Sequence, residues 1–202
     1  MNNNKKDMSE AQKRQKSIWF ASDTHFSHKN IIRFSSRPFK DENHMDEELV
    51  KSWNEVVHKD DDVYHLGDVS LGNPTKLTDI LNRLNGNIHL ITGNHEKSVF
   101  KKTSNVERFV WIKNYHEMYI DKQYVIMCHY AMRVWNKSHH GAIHLYGHSH
   151  DSLDKEGAWG KSMDVGVDSA YRILGEYRPF SLREVMNIMD KREVHVIDHH
   201  EK

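Results

Sequence analysis

The chain has one cysteine, Cys128, in 202 residues, so it can form no disulfide of its own. Its formal charge is +0 and its pI near 7.3, which removes any global field favouring DNA, RNA or an anionic membrane. Anion recognition has to be local. No apolar run approaches the roughly 20 residues of a bilayer span. The first 16 residues are polar and charged, with no apolar signal core. The expected location is cytoplasmic, in its own cell or a host, with no membrane partner. There is no internal repeat, no low-complexity segment and little room for a second domain. Residues 1–16 read as a mobile polar tail, and residues 17–202 as one domain, large enough to bury roughly 70% of its unfolded surface.

Short runs rich in β-branched and aromatic residues mark strands at 18–21, 63–66, 88–91, 111–115, 117–120, 124–128, 142–146 and 162–167. A helical turn is expected over 29–34, ended by Pro38. Leu49, Val50, Trp53, Val56 and Val57 predict a helix over 46–58, with acidic residues in its first turn. Leu77, Ile80, Leu81 and Leu84 make the apolar stripe of another, over 74–84. A third, over 181–189, has a capping box in Ser181 and Glu184. Residues 193–197 alternate and suggest an edge strand. Strand–helix alternation followed by a strand-rich half predicts an α/β fold of two packed sheets with helices outside.

What the chain has in plenty is histidine, 17 in all. Five polar fragments recur in order, nearly all directly after an apolar run: Asp23-Thr24-His25, Gly67-Asp68, Gly93-Asn94-His95-Glu96, His129 and Gly147-His148-Ser149-His150. Each alone is unremarkable; their order and their place at strand exits, where rigid strands hold diverging loops, mark a site. Residues two apart on an extended segment share a side, so Asp23 with His25, and His148 with His150, can face one cavity. Imidazoles, carboxylates and an Asn carbonyl suit Mn, Fe, Zn or Ni better than Ca or Mg alone, and the absence of cysteine from the set argues against a structural zinc site.

Two metals about 3.5–4 Å apart need a bridging carboxylate, for which Asp68, alone at its strand end, is the natural candidate. They would activate a bridging hydroxide for in-line attack on phosphorus. His95, beside Asn94 and not needed as a ligand, is placed to protonate the leaving group. Glu96 is either a helix-start carboxylate or a support for the ligands. Cys128 adjoins His129, but strand neighbours face opposite ways, so it reads as a buried structural thiol. His58, His65, His89, His195, His199 and His200 are assigned to surface or core roles.

With all five fragments present, the chain resembles the calcineurin-like metallophosphoesterase superfamily, whose pattern is Asp-x-His, Gly-Asp, Gly-Asn-His-Asp/Glu, His and Gly-His-x-His. The resemblance implies a four-layer α/β/β/α sandwich of two mixed sheets flanked by helices. It implies one divalent metal on Asp23, His25, Asp68 and His150 and a second on Asp68, Asn94, His129 and His148, Mn foremost, with Fe, Zn, Ni or Mg as alternatives. His95 takes the general-acid position. The protein-phosphatase branch follows its Gly-Asp with a further Asp and then Arg-Gly; here Val69-Ser70-Leu71-Gly72 follow instead. The chain is therefore similar to the small bacterial and phage members.

For substrate contacts, His28, Asn30, Arg33, Arg37 and Arg133 flank the ligands. Arg37 or Arg133 either grips phosphate or is a solvated rim charge. Tyr130 and Trp135 either stack a nucleobase or pack in the interior. His139 and His140 are either a loop pair or a substrate contact. The expected substrate is a small phosphodiester or phosphomonoester, nucleotide-like, in an open cleft. A nuclease is the competing enzyme reading, disfavoured by the neutral charge and the lack of a capping domain. A scaffold that has lost catalysis is the other; such proteins lose ligands, and none is lost here. The oligomeric state stays open.

Overall fold

Nine short strands form two sheets in the computed structural model, which describes residues 14–96, 105–157 and 159–197. In the first sheet β4 (Phe109–Lys113), β3 (Asn87–Ile91), β2 (Asp62–His65) and β1 (Ile18–Ala21) lie side by side and parallel, and β9 (Phe180–Ser181) pairs antiparallel with β1. In the second, β5 (Tyr115–Ile120) runs antiparallel to β6 (Gln123–Cys128), followed by parallel β7 (Ile143–Tyr146) and β8 (Ser162–Asp164). Both sheets are mixed, as expected. Their parallel strands deliver the five polar fragments from carboxyl ends.

The sheets meet over an apolar core in which Phe20, Leu66 and Ile91 of the first face Val125, Met127, Ile143 and Leu145 of the second. Side chains alternate across each strand, so Ala21, Val63, Ile88 and Leu90 pack on the other side, against Leu49, Val50 and Trp53 of α2 (Glu42–Val56) and Leu77, Ile80 and Leu81 of α3 (Pro74–Arg83). Full burial of each such side chain is worth about 1.5–3 kcal/mol. The outer face of the second sheet carries a thinner cover: Trp135 packs on Ile126 and Ala142, and α4 (Ser152–Glu156) lies beside β8. Among the described residues no helix is long and apolar enough to cross a membrane.

Local chemistry explains where the elements begin. Asp41 caps α2 by accepting from the His44 amide at 2.9 Å, so the helix begins at Glu42, four residues before the expected start at Asp46. Asp46 is buried instead, and binds the Ser27 amide and hydroxyl at 2.7 and 2.8 Å. Asn73 caps α3 with Pro74 at its first position, and the Ser181–Glu184 capping box opens α6 (Leu182–Met189) as expected. The helical turn α1 (Lys29–Phe34) is present too.

Three expectations change. The strand read over 111–115 is divided: Lys113 ends β4 in one sheet, Tyr115 begins β5 in the other, and the chain changes sheets at Asn114. The strand read over 162–167 stops at Asp164, because its carboxylate takes the Gly166 amide at 2.7 Å, and α5 (Val167–Leu174) follows. Residues 193–197 are not a strand; His195 packs edge-on against Trp159 at 5.2 Å, away from any ladder. Residues 1–13 of the expected tail, and His199 and His200, lie outside the described residues, whereas Arg14 and Lys16 are tied to Asp61 and Asp62.

Asp61, fully buried where β1 and β2 begin, joins the first sheet's entry segments. It accepts from the Ser17 and His58 amides at 2.9 and 3.0 Å, Trp19 Nε1 at 3.0 Å and Arg14 Nη1 at 2.6 Å. Burial raises its pKa, but Arg14 and these donors outweigh burial and hold it well below the usual carboxylate range. Its stabilising contribution is thus complete above the ordinary titration range of an aspartate and is lost as pH falls through the lower folded-state pKa. Asp61→Asn is expected to cost about 1–3 kcal/mol in urea unfolding at pH 7, with the gap to the parent closing in acid.

Candidate metal centre

The turns after β1 and β2 are laced together before any ligand is considered. The Asp23, His25 and Phe26 amides donate to the Gly67, Asp68 and Val69 carbonyls at 3.0, 3.1 and 2.8 Å. On the second sheet the Gly147 amide donates to the His129 carbonyl at 2.9 Å, and the His148 amide reaches across to Asp23 Oδ2 at 2.9 Å. Five of the seven expected ligand residues take left-handed backbone conformations: φ is 54° at Asp23, 49° at His25, 55° at Asp68, 65° at His148 and 47° at His150. Side-chain-bearing residues adopt this region at a cost of about 1 kcal/mol or more each, and such strain gathers at functional sites. Gly67 has no alternative, since a Cβ there would lie 2.6 Å from the Gly93 nitrogen and 2.7 Å from His129 Nδ1.

All seven expected ligands converge. Asp23, His25 and His150 form one group with donor atoms close enough to share an ion, and Asp68, His129 and His148 form another. Asp68 joins them: its Oδ2 lies 3.7 Å from His25 Nε2 and 3.6 Å from His129 Nε2. Asn94 Oδ1 stands 3.1 Å from His129 Nε2 and 3.0 Å from His148 Nδ1, which brings it into the second group.

The donor set fits divalent cations. Asp23 Oδ1 and both nitrogens of His25 are buried with no hydrogen-bond partner, an arrangement that is costly unless a cation fills it. Burial, reinforced by Asp164 and Asp68, drives the Asp23 pKa well above the carboxylate range, so its charge calls for a cation. Burial, with repulsion from His150 and Arg37, holds His25 far below the imidazole range, and burial lowers His129 as well. Neutral imidazole is the form that binds metal. His129 Nδ1 is committed to the Leu66 carbonyl at 2.7 Å and His150 Nδ1 to Asp168 Oδ2 at 2.7 Å, which leaves each Nε2 as the nitrogen available to a cation.

His95 lies over this centre, with Nε2 3.8 Å from Asp68 Oδ2 and its amide donating to Asp68 Oδ1 at 3.1 Å. Its own turn is shaped by Glu96, buried, which accepts from the Val69 and Gly93 amides at 2.8 and 2.6 Å. Glu96 therefore supports the ligand loops. A cleft of about 490 Å³ opens above, lined by His25, His28, Phe34, Asp68, Asn94, His95, His148 and His150. His28 belongs here, its ring 5.4 Å from that of His25.

The other expected substrate contacts fare differently. Arg37 does not face the cleft. It is buried, holds Asp168 through Nε and Nη2 at 2.8 and 2.9 Å, and donates to the Thr24 and Asp23 carbonyls at 3.0 and 2.7 Å. Asn30 and Arg33 are exposed and do not line the cleft. Arg133 lies over Trp159 at 5.8 Å in a different cavity. Trp135 is buried and bonded to the Ala142 carbonyl, so it cannot stack a base, whereas Tyr130 is exposed and packs edge-on against His129 and His148. His139 and His140 pack against each other at a tilt of 50° in a short turn and do not line the cleft. His65 is a core residue at the Thr24 hydroxyl, its pKa lowered by burial to about 3, and Cys128 is half-buried.

Two supporting carboxylates escaped the sequence reading. Asp168 orients His150, and Asp164 binds Ser149 Oγ at 2.5 Å and the Asp151 amide at 3.0 Å, bracing the His148–His150 turn. Asp164 lies inside the segment expected as a strand over 162–167, and Asp168 reaches His150 from 18 residues away, so no short local pattern marks either.

Residues 17–162 match the profile of the calcineurin-like phosphoesterase superfamily domain. An uncharacterised protein of Methanocaldococcus jannaschii is 34% identical over 182 residues, which cover 88% of this chain and 93% of that one. The gene 66 protein of Mycobacterium phage L5 is 38% identical over 81 residues, 39% of each chain. Among solved structures, a protein of unknown function from Aquifex aeolicus shares the fold, with a TM-score of 0.64 and 22% identity over 86% of this chain and 100% of that one.

Arg37→Ala would leave Asp168 buried without its cation. We expect a loss of about 3–5 kcal/mol in urea unfolding. A phosphate-gripping arginine would instead raise KM and leave stability nearly unchanged.

Proposed function

Because the chain belongs to the calcineurin-like phosphoesterase superfamily, we propose that it is a metal-dependent hydrolase of small, nucleotide-like phosphodiesters or phosphomonoesters, working in the cytoplasm with two divalent cations, Mn foremost. The observation that carries this reading is Asp68, whose carboxylate stands between the imidazoles of both ligand groups at 3.7 and 3.6 Å. Asp23, His25, Asp68 and His150 would hold one cation, and Asp68, Asn94, His129 and His148 the other. Such a pair supplies Lewis acidity toward the phosphoryl oxygens and a water nucleophile of lowered pKa.

The chain's own residues do the rest. His95 is part-exposed to the cleft and tethered to Asp68 through its amide, so it can hold a proton for the leaving oxygen. His28 stands beside His25 in the same cleft and can donate to a phosphoryl oxygen. The residues that replace the protein-phosphatase Asp and Arg serve the fold: the Val69 amide goes to Glu96, and the Ser70 hydroxyl to the Phe26 carbonyl at 2.7 Å. Neither that Asp nor that Arg is present in this chain, a circumstance that favours substrates with good leaving groups.

Protein purified with Mn is expected to carry two metal ions per chain by elemental analysis and to hydrolyse bis-(p-nitrophenyl) phosphate. Asp68→Asn should reduce that rate by about 10²-fold or more and lower the metal content. A wild type that binds no metal, or an unimpaired Asp68→Asn, would sink the proposal. His95→Ala should cost about 10²-fold with alcohol leaving groups and far less with p-nitrophenolate, read from a leaving-group series.

A further inference from the structure

Beside His150 lies a second groove of about 590 Å³, and Phe34, Ser35 and His150 line both it and the cleft over the metal ligands. One molecule can therefore occupy both. The volume falls in the range of about 300–1,000 Å³ that suits a ligand of nucleotide size.

The groove has two chemically distinct sides. One is aromatic: Phe34 and Tyr171 are 65% and 45% exposed, and Tyr171 is held in place by stacking on Tyr177, centroids 4.4 Å and planes 11° apart. The other is cationic. Lys155 and Arg172 converge on the single buried carboxylate of Asp151, at 3.5 and 2.6 Å. Arg172 uses only Nε for this, so among the described residues its terminal nitrogens donate to no protein group. Of the charged side chains that line the groove, Lys155 and Arg172 are cations and Asp168 is the carboxylate, the last already paired with Arg37 behind the wall.

We propose that this groove receives the ester group attached to the scissile phosphate, and that this group is a nucleotide bearing a further phosphate. Its base lies against Tyr171 and Phe34, and its second phosphate against Lys155 and Arg172. The assignment rests on the phosphoesterase reading above and adds the substrate class to it: a short, terminally phosphorylated nucleic-acid fragment or dinucleotide. Aromatic rings accept any base face, while the cations recognise phosphate, so the groove selects for nucleotide form over sequence.

The test uses pApA with a hydrolysis-resistant internal phosphonate, and the same compound lacking the terminal phosphate, titrated calorimetrically into the Mn-treated protein. Wild type should prefer the phosphorylated compound by about tenfold, and Lys155→Ala should remove most of that preference. Tyr171→Ala should weaken both by about tenfold. Both substituted side chains are exposed enough for the fold to be retained, which thermal melts verify. In turnover with ordinary pApA and bis-(p-nitrophenyl) phosphate, the ratio of the two kcat/KM values should fall by similar factors. Affinities and ratios within about twofold of wild type in both variants would overturn the groove assignment while leaving the hydrolase reading intact. If wild type cleaves neither diester the hydrolase reading fails, and the calorimetric comparison still decides the groove.

Discussion

Three carboxylates, Asp23, Asp68 and Asp164, are buried where the loops of the two sheets cross, and no arginine or lysine side chain is paired with any of them among the described residues. Like charges in a water-poor interior are tolerated only when something of opposite sign is supplied. The surrounding histidines do not supply it, because burial keeps His25 and His129 neutral. This electrostatic deficit organises the molecule's functional edge. It makes the polar cluster a candidate receptacle for cations.

The backbone is arranged to create that deficit. Left-handed turns at Asp23, Asp68 and His148 aim short side chains inward from strands that would otherwise carry them past one another. Hydrogen bonds between the turns, such as the His148 amide to Asp23, hold the strained geometry. Glu96, Asp164 and Asp168 then fix turns and ring orientations without joining either candidate ligand group. Beyond this frame, Phe34 and His150 border two adjoining cavities.

Much of this was legible in the sequence. The ligand fragments announce themselves because metal coordination needs particular side chains at short, local spacings. The strands that carry them read clearly as apolar runs, and Ser181 with Glu184 reads as a helix start because a capping box is a four-residue interaction. Arg37 was misread for the opposite reason. A guanidinium that binds Asp168, 131 residues away, looks the same in sequence as one that awaits a phosphate. The change of sheet at Asn114 and the loss of a strand at 193–197 were hidden likewise, since periodicity reports which residues alternate but not whether a partner edge exists.

By itself, then, the sequence determined the donor types, their order and their positions at strand exits, because those are set by residue chemistry and local hydrophobic pattern. Only the tertiary structure decided which donors lie close enough to share an ion, that Asp68 stands between the two groups, and that Asp164 and Asp168 brace them. It also decided that Arg37 is internal while Lys155, Arg172 and Tyr171 border a groove beside His150. These are relations between segments brought together by the packing of two sheets, and distances of that kind exist only once the chain has closed on itself.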